Sequence, residues 1–410
     1  MWLPVLESRQ LNKEPVQVHY WGSSVALFRT ESGVVGALED HCPHRGAPLS
    51  KGDCKGGTLR CPYHRFAFNP SGACLSTPAH MQISEHGRER CRARPYYVHE
   101  ALGLIWISIE SEQSAPFPTE LTALSETFFT LRFDEVEGPI QPWLDHYLDV
   151  AHLVSNHPQS TTGLPLDTPV IAEASTSLPE DPEQRPQATI TITGKGILRP
   201  GIVGGDPLWL LYLGGLRSLL RGLKAGDSIS SQMIGHGILL NPAIQLGSSE
   251  YRSPLGSAKF DVVTAMNPRS TSRMQFVNII ASRQAGGWLK RLIERWEMPH
   301  VIGVAHIFGE DYPVVSGTKR RDLSDYQLVS PLDATVPVMR ARLARYIAAK
   351  GHLYPRDSVL HTLRQGLPTV DEVDAVDEVD AVDAVDAVDA VDAVDASARP
   401  QPPRNTRVRR

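Results

Sequence analysis

Two stretches of the chain concentrate side chains that hold metals. The first, DHCPHRGAPLSKGDCKGGTLRCPYHRF at 40–66, supplies Cys42 and His44 and then, after sixteen intervening residues, Cys61 and His64. Two thiolates and two imidazoles would satisfy a tetrahedral zinc ion as well as an iron–sulfur cluster, so ligand types alone leave both open. The arrangement favours the cluster. Each box joins a Cys to a His, and Pro43, Pro62, Gly46, Gly52, Gly56 and Gly57 fill the loops, which presents the ligands from two tight tips rather than from a helix.

The second stretch is LDHYLDVAHLVSNHP at 144–158. On a helix expected over 141–157, Asp145, Asp149 and His152 fall at i, i+4 and i+7 and share one face. His157 follows five residues after His152, which on an undistorted helix turns it away by roughly 140°. Pro158 biases His157 out of helical geometry, so the helix is expected to end there and swing His157 back beside His152. Two imidazoles plus one carboxylate, with positions left open, form the donor set of non-haem Fe(II) centres that react with oxygen. His146 lies off the shared face and reads as structural.

The elements that must carry these groups are legible in outline. VQVHY, SVALFR and GVVGAL between 16 and 38 are strand-like and break at turn residues, and YYVHE and LIWISI follow the cysteine region as far as Ile109. Residues 1–111 therefore read as a small all-β domain, with EQSAPFP at 112–118 as a linker. Residues 119–355 mix patterns: the helix over 141–157, a Pro/Ser/Thr-rich loop over 158–187, and strands in ATITITGKGILR, AKFDVVTAMN and RMQFVNIIAS. Late helices are expected in GGWLKRLIERWEM and VMRARLARYIAAKG, the last stopped by Gly351. The fold class is α+β, an all-β domain followed by a sheet with helices.

From 356 to 410 the chain reads as a low-complexity tail. Within it, 370–396 is nine Val-Asp-Ala or Val-Asp-Glu triplets, a period that places no apolar stripe on a helix and repeats one charge, so disorder is expected. That block hides an even balance elsewhere: the 410 residues carry a net charge of -5, and once the acidic triplets and the five arginines after them are set aside, residues 1–369 are close to neutral. No basic stripe suggests nucleic acid. The five cysteines (42, 54, 61, 74 and 91) crowd the first quarter, which suits a reduced, cytoplasmic protein with a metal site better than a disulfide framework. Cys54, Cys74 and Cys91 lie outside the ligand pattern and read as small packing residues. MWLPVLESRQ lacks a signal-peptide pattern, and LWLLYLGGL at 208–216 falls short of the about 20 residues of a membrane span. A soluble protein with no membrane partner is expected.

On these residues the chain resembles the catalytic (alpha) subunit of the Rieske non-haem iron oxygenases, in their vanillate demethylase and pheophorbide a oxygenase-like branch. The resemblance covers roughly residues 1–350. It rests on an opening W-x-P-V, on CPHRGAPL, CPYH and SGAC, on Asp-x3-Asp-x2-His-x4-His at 145–157, and on the Glu-Asp pair of HIFGEDYPVVSG at 306–317. It implies a helix-grip type of catalytic domain after an N-terminal Rieske domain. It also implies a [2Fe–2S] cluster with Cys42 and Cys61 on one iron and His44 and His64 on the other. The mononuclear iron would take His152, His157 and Asp311, the last chosen over Asp322 and Asp325. Asp149 would bridge an iron ligand to a cluster ligand of a neighbouring subunit, Asp145 would support the ligands less directly, and His306 is an ordinary polar position. Respiratory Rieske proteins add a cysteine to each box, where this chain has Ala47 and Tyr63, so the lower-potential branch is implied. One departure stands out: Arg65-Phe66 follows the second His, where Gly, often followed by Trp, is usual.

The activity so implied is hydroxylation, demethylation or another oxidation of an organic, ring-containing small molecule, with O2 as co-substrate. A homotrimer would receive electrons from a separate NAD(P)H-dependent reductase, directly or through a ferredoxin, since no G-x-G-x-x-G fingerprint follows a strand here. Dihydroxylation, oxidative cyclisation or desaturation would keep every metal ligand and differ only in the pocket. For that pocket, GILRPGIVGGDPLWLLYLGGL at 196–216 reads as a wall or lid, or as ordinary core with a surface loop. A ferredoxin-like electron carrier would need only the first domain.

Overall fold

Strand-forming stretches separated by tight turns build the N-terminal region of the computed structural model. It describes residues 1–81, 83–124, 128–138, 140–146, 149, 151–156, 171–179, 184–197, 228–253, 256–282, 307–318, 331–364 and 367–368. Ten strands come first: β1 Leu3–Glu7, β2 Val16–Tyr20, β3 Ser23–Arg29, β4 Val35–Glu39, β5 Asp53–Lys55, β6 Thr58–Arg60, β7 Ala67–Phe68, β8 Cys74–Ser76, β9 Pro95–Ala101 and β10 Leu104–Ser108. Six of them pair in the order β1-β10-β9-β4-β3-β2, and β5 to β8 form a separate four-stranded sheet in chain order. Trp2, Tyr20, Trp21 and Trp106 are buried against the larger sheet. A fully buried large apolar side chain contributes roughly 1.5–3 kcal/mol, so these aromatics dominate that core.

The second region is built on one antiparallel sheet of seven strands, ordered β11-β17-β16-β15-β14-β13-β12. Its strands are β11 Phe128–Glu137, β12 Ile171–Ser177, β13 Gln187–Ile197, β14 Ser228–Asn241, β15 Ile244–Ser253, β16 Gly256–Ser270 and β17 Arg273–Ser282. Val263, Ala265, Val277 and Ile279 are buried in the paired strands β16 and β17; β16 alternates over 261–265, while β17 is buried on both faces from Met274 to Ala281. Helices Ile307–Ser316 and Thr335–Lys350 follow, the second ending at Lys350 with Gly351 starting a 3-10 turn. The fold class is α+β, as expected.

Both regions belong to one compact unit, Met1–Leu367. Polar side chains of the long sheet reach the first region: Trp21 N–H donates to Asn267 Oδ1 at 3.2 Å, and Asn267 Nδ2 donates to the His19 carbonyl at 2.7 Å. No helix among the described residues is long and apolar enough to cross a membrane.

Three sequence expectations are corrected. The loop over 158–187 contains strand β12, which pairs with β13 through its backbone while nearly every side chain is exposed, so no hydrophobic alternation announces it. The single helix over 141–157 is two short helices, Gln141–His146 and His152–Ser155. The tail begins later than 356. Ser358 caps a helix at Val359–Leu363, its Oγ and the Val359 N–H both donate to the Trp21 carbonyl at 2.9 and 2.8 Å, and Leu360 is fully buried. A helix this short carries too little periodicity to be read in advance. The expected helix in GGWLKRLIERWEM, the stretch from 198 to 216, the triplets of 370–396, and His157, His306, Asp322 and Asp325 lie outside the described residues.

Candidate metal centres and active site

The two cysteine boxes fold as near copies of each other. Cys42 N–H donates to the Ala47 carbonyl at 2.8 Å and Gly46 N–H to the Cys42 carbonyl at 2.8 Å. In the second loop Cys61 N–H donates to the Phe66 carbonyl at 2.8 Å and Arg65 N–H to the Cys61 carbonyl at 3.1 Å. Each loop therefore reverses over the four residues after its cysteine, which brings Cys42 and Cys61 to buried positions and the rings of His44 and His64 to 4.8 Å between centroids. Phe66 of the second loop stacks on His44 at 4.7 Å, and Tyr63 lies over His64 at 3.8 Å. Cys54, Cys74 and Cys91 are half-buried and pack against the core beneath the loops.

These residues suit the cluster that their types imply. His44 Nδ1 is buried without a hydrogen-bond partner, an arrangement a metal bond would satisfy. Burial pushes the Cys42 thiol up to about 12; the His44 backbone N–H lowers it, while the neighbouring Cys61 thiol raises it further. A metal must displace that proton, so loading is coupled to deprotonation.

The Arg65 departure has a backbone explanation. Arg65 occupies the place of Gly46 in the companion loop, and both have left-handed backbone, φ of 60° and 73°. A side chain at such φ costs roughly 1–2 kcal/mol. Arg65 offsets part of this through an ion pair with Asp53, which Arg60 also engages. Burial pushes the Asp53 carboxyl up, but the Arg65 and Arg60 guanidiniums outweigh it and hold the group below its ordinary range. Arg65→Ala removes the ion pair and keeps the strain, whereas Arg65→Gly removes both. Urea titration should find the Gly variant more stable than the Ala variant by about 1 kcal/mol. Equal stabilities would contradict the strain.

The second group of candidate ligands gathers around His152. Asp149 Oδ2 lies 3.6 Å from His152 Nδ1, and Asp311 Oδ1 lies 4.0 Å from His152 Nε2. Asp311 is buried, and Asn156 Nδ2 donates to its Oδ1 at 2.6 Å. His146, read from sequence as structural, is part of the group: its Nε2 is 3.5 Å from Asp311 Oδ2, and its ring is 4.2 Å from that of His152. The break between the two short helices accounts for this, because positions off a shared helical face need not diverge once the helix is interrupted. Donor atoms of His146, Asp149 and His152 lie within 4.8 Å of one another. Separations of 3.5 and 4.0 Å exceed a hydrogen bond yet fall within twice a metal–ligand bond of about 2.1 Å, so the donors fit one ion.

Electrostatics reinforce the arrangement. Burial lowers the His152 imidazole against the pull of Asp149, which keeps the ring neutral and able to ligate. Burial raises the Asp149 carboxyl, but His152 and His146 outweigh it and hold it ionised. Asp145, expected near the ligands, instead has both oxygens on Arg340, at 2.9 Å from Nε and 2.6 Å from Nη2. Asn156 and His146 were missed because an amide and an off-face histidine carry no spacing signal of their own.

A cavity of about 200 Å³ opens beside these groups. His146, His152 and Asp311 line it, and Phe276, Met266 and Val262 supply apolar wall from the sheet. Gly237 and Gly247, paired across β14 and β15, leave that face of the sheet bare.

With this geometry in hand, the comparisons define a domain. Residues 1–87 match the Rieske [2Fe-2S] domain family, a span that includes both cysteine boxes. Over 105 residues the chain is 40% identical to the 4beta-methylsterol monooxygenase of Methylococcus capsulatus, covering 25% of this chain and 28% of that protein. Over another 105-residue match it is 36% identical to the oxygenase component of dicamba O-demethylase of Stenotrophomonas maltophilia, covering 26% of this chain and 31% of that protein. The chain thus matches less than a third of these two curated relatives' own lengths. The crystal structure of dicamba monooxygenase bound to 3,6 dichlorosalicylic acid is similar with a TM-score of 0.53 over 92% of this chain and 98% of that one. At 18% identity that likeness is one of fold.

Proposed function

We propose that the chain is an oxygenase of the Rieske non-haem iron type, oxidising an organic, ring-containing small molecule with O2. The observation that carries this reading is the convergence of His146, His152, Asp149 and Asp311 on a largely apolar cavity, in a chain whose first 87 residues match the Rieske domain. Monooxygenation, as hydroxylation or demethylation, is the favoured outcome, and the vanillate demethylase and pheophorbide a oxygenase-like branch the favoured relationship. The two domains are taken as 1–111 and 119–355.

When bound, a [2Fe–2S] cluster supplies single electrons and a mononuclear iron supplies the site for dioxygen chemistry. Cys42, His44, Cys61 and His64 would hold the cluster. His152 and Asp311 would hold the iron with His157, and His146 stands beside them. Asp149 Oδ2 faces His152 Nδ1 and favours the tautomer that carries its proton there, which leaves the Nε2 lone pair directed at Asp311. Asn156 fixes the Asp311 carboxylate by its hydrogen bond. The apolar wall of Phe276, Met266 and Val262 excludes water and favours an organic ring. Asp149 is also the proposed electron bridge between subunits of a homotrimer, with a separate reductase or ferredoxin as donor. A cytoplasmic location fits the five unpaired cysteines.

Iron analysis and EPR after anaerobic reconstitution test the reading. About three irons per chain are expected, two of them giving the signal of a reduced Rieske cluster. About two irons per chain, with no oxygen uptake in the presence of reductant and ring substrates, would instead indicate an electron carrier.

A further inference from the structure

The cavity wall holds one polar side chain whose hydrogen-bonding capacity is half used. Asn278 lies on β17 opposite Thr264 of β16, is 3% exposed, and accepts the Thr264 hydroxyl on its Oδ1 at 2.8 Å. Its Nδ2 is buried and has no hydrogen-bond partner among the described residues. Buried amide nitrogens are almost always satisfied, so an orphaned one at the wall of a cavity marks a place where a ligand atom completes the structure.

The surroundings say what kind of atom. Phe276 precedes Asn278 by two residues on the same face of β17, and Met266 stands opposite Phe276, so the donor is set in apolar wall. No Lys or Arg is among the described residues that line the cavity. A carboxylate entering it would find no side-chain cation to offset its lost hydration and would face the carboxylates of Asp149 and Asp311, whereas a neutral oxygen gives up far less and gains the waiting N–H.

We propose that Asn278 Nδ2 anchors a neutral oxygen acceptor of the substrate, a carbonyl, ether or hydroxyl, and so selects such molecules over hydrocarbons and over carboxylates. This rests on the reading of the cavity as the substrate pocket. One fixed hydrogen bond would settle which part of the molecule faces His152 and Asp311, which border the same space.

Calorimetry on the cluster-loaded protein, wild type and Asn278→Leu, tests it with three probes of one ring size: acetophenone, ethylbenzene and benzoate. Wild type should bind acetophenone about three- to tenfold more tightly than ethylbenzene, the worth of one neutral hydrogen bond. Benzoate should be the weakest. In Asn278→Leu the ketone preference should fall below about twofold, while ethylbenzene binds as well as before or better. An unchanged ketone preference in the variant, benzoate as the tightest ligand of wild type, or uptake of neither neutral probe by wild type overturns the proposal. Iron content of the same samples separates this from the wider reading. Normal iron with no Asn278-dependent selectivity defeats the anchor alone, whereas absence of the mononuclear iron from both proteins defeats the oxygenase assignment.

Discussion

Arg340→Ala is expected to lose roughly 3–5 kcal/mol of folding stability, a large share of the about 5–15 kcal/mol that holds a domain together. Arg340 and Asp145 are 1% and 5% exposed, and the guanidinium grips both carboxylate oxygens, tying the short helix Gln141–His146 to the long helix Thr335–Lys350. Gln141 Nε2 adds a third donor to Asp145 Oδ1 at 2.9 Å. Removing the cation strands a buried carboxylate, which costs more than the pair itself contributed. The double variant Asp145→Leu with Arg340→Met should therefore recover most of the loss, because two apolar groups of similar volume leave no charge unpaired. Urea unfolding of wild type, both single variants and the double variant measures this cycle. A single-variant loss below about 1 kcal/mol, typical of an exposed pair, would contradict the account.

His152→Ala is expected to take the iron content from about three to about two per chain while the cluster signal persists, and to abolish substrate-dependent oxygen uptake. The expectation follows from position: of the histidines described, His152 is the one set between two carboxylates, Asp149 on Nδ1 and Asp311 on Nε2. Asp149→Asn is the informative comparison. It should weaken iron binding by about 10- to 100-fold, as the loss of a ligand's outer partner does, without eliminating it. If Asp149 also carries electrons, reoxidation of the reduced cluster by oxygen plus substrate should slow even at saturating iron. Metal content that ignores His152→Ala would remove the catalytic assignment.

The first centre was legible because its geometry is local. Both loops close over four residues through their own backbone, so Cys42, His44, Cys61 and His64 are specified by short-range sequence, and only the Arg65 departure needed the backbone angle to make sense. The second centre depends on a break in a helix and on a carboxylate 159 positions beyond His152, and such convergence is set by tertiary packing. The spacing of Asp145, Asp149 and His152 points to the region where His146, Asp149 and His152 gather. A continuous helix would put Asp145 with Asp149 and His152 and turn His146 away; the break between the two short helices instead lets Asp145 face Arg340 and His146 join Asp149 and His152. Strands β16 and β17 are legible nearly to their ends from their apolar, strand-forming residues, whereas β12 packs no apolar side chain and Gly235 and Gly237 interrupt the side-chain pattern of β14.

The grip of Ser358 and Val359 on the Trp21 carbonyl has a consequence for the order in which the protein is made. The turn between β2 and β3 receives its last partners from residues 337 positions later in the chain. At about 5–20 residues per second, those partners leave the ribosome roughly 20 to 70 s after the turn itself. Through that interval the Trp21 carbonyl lacks both of these donors. The end of the compact unit closes its beginning, so this turn is completed only after nearly the whole unit has been synthesised.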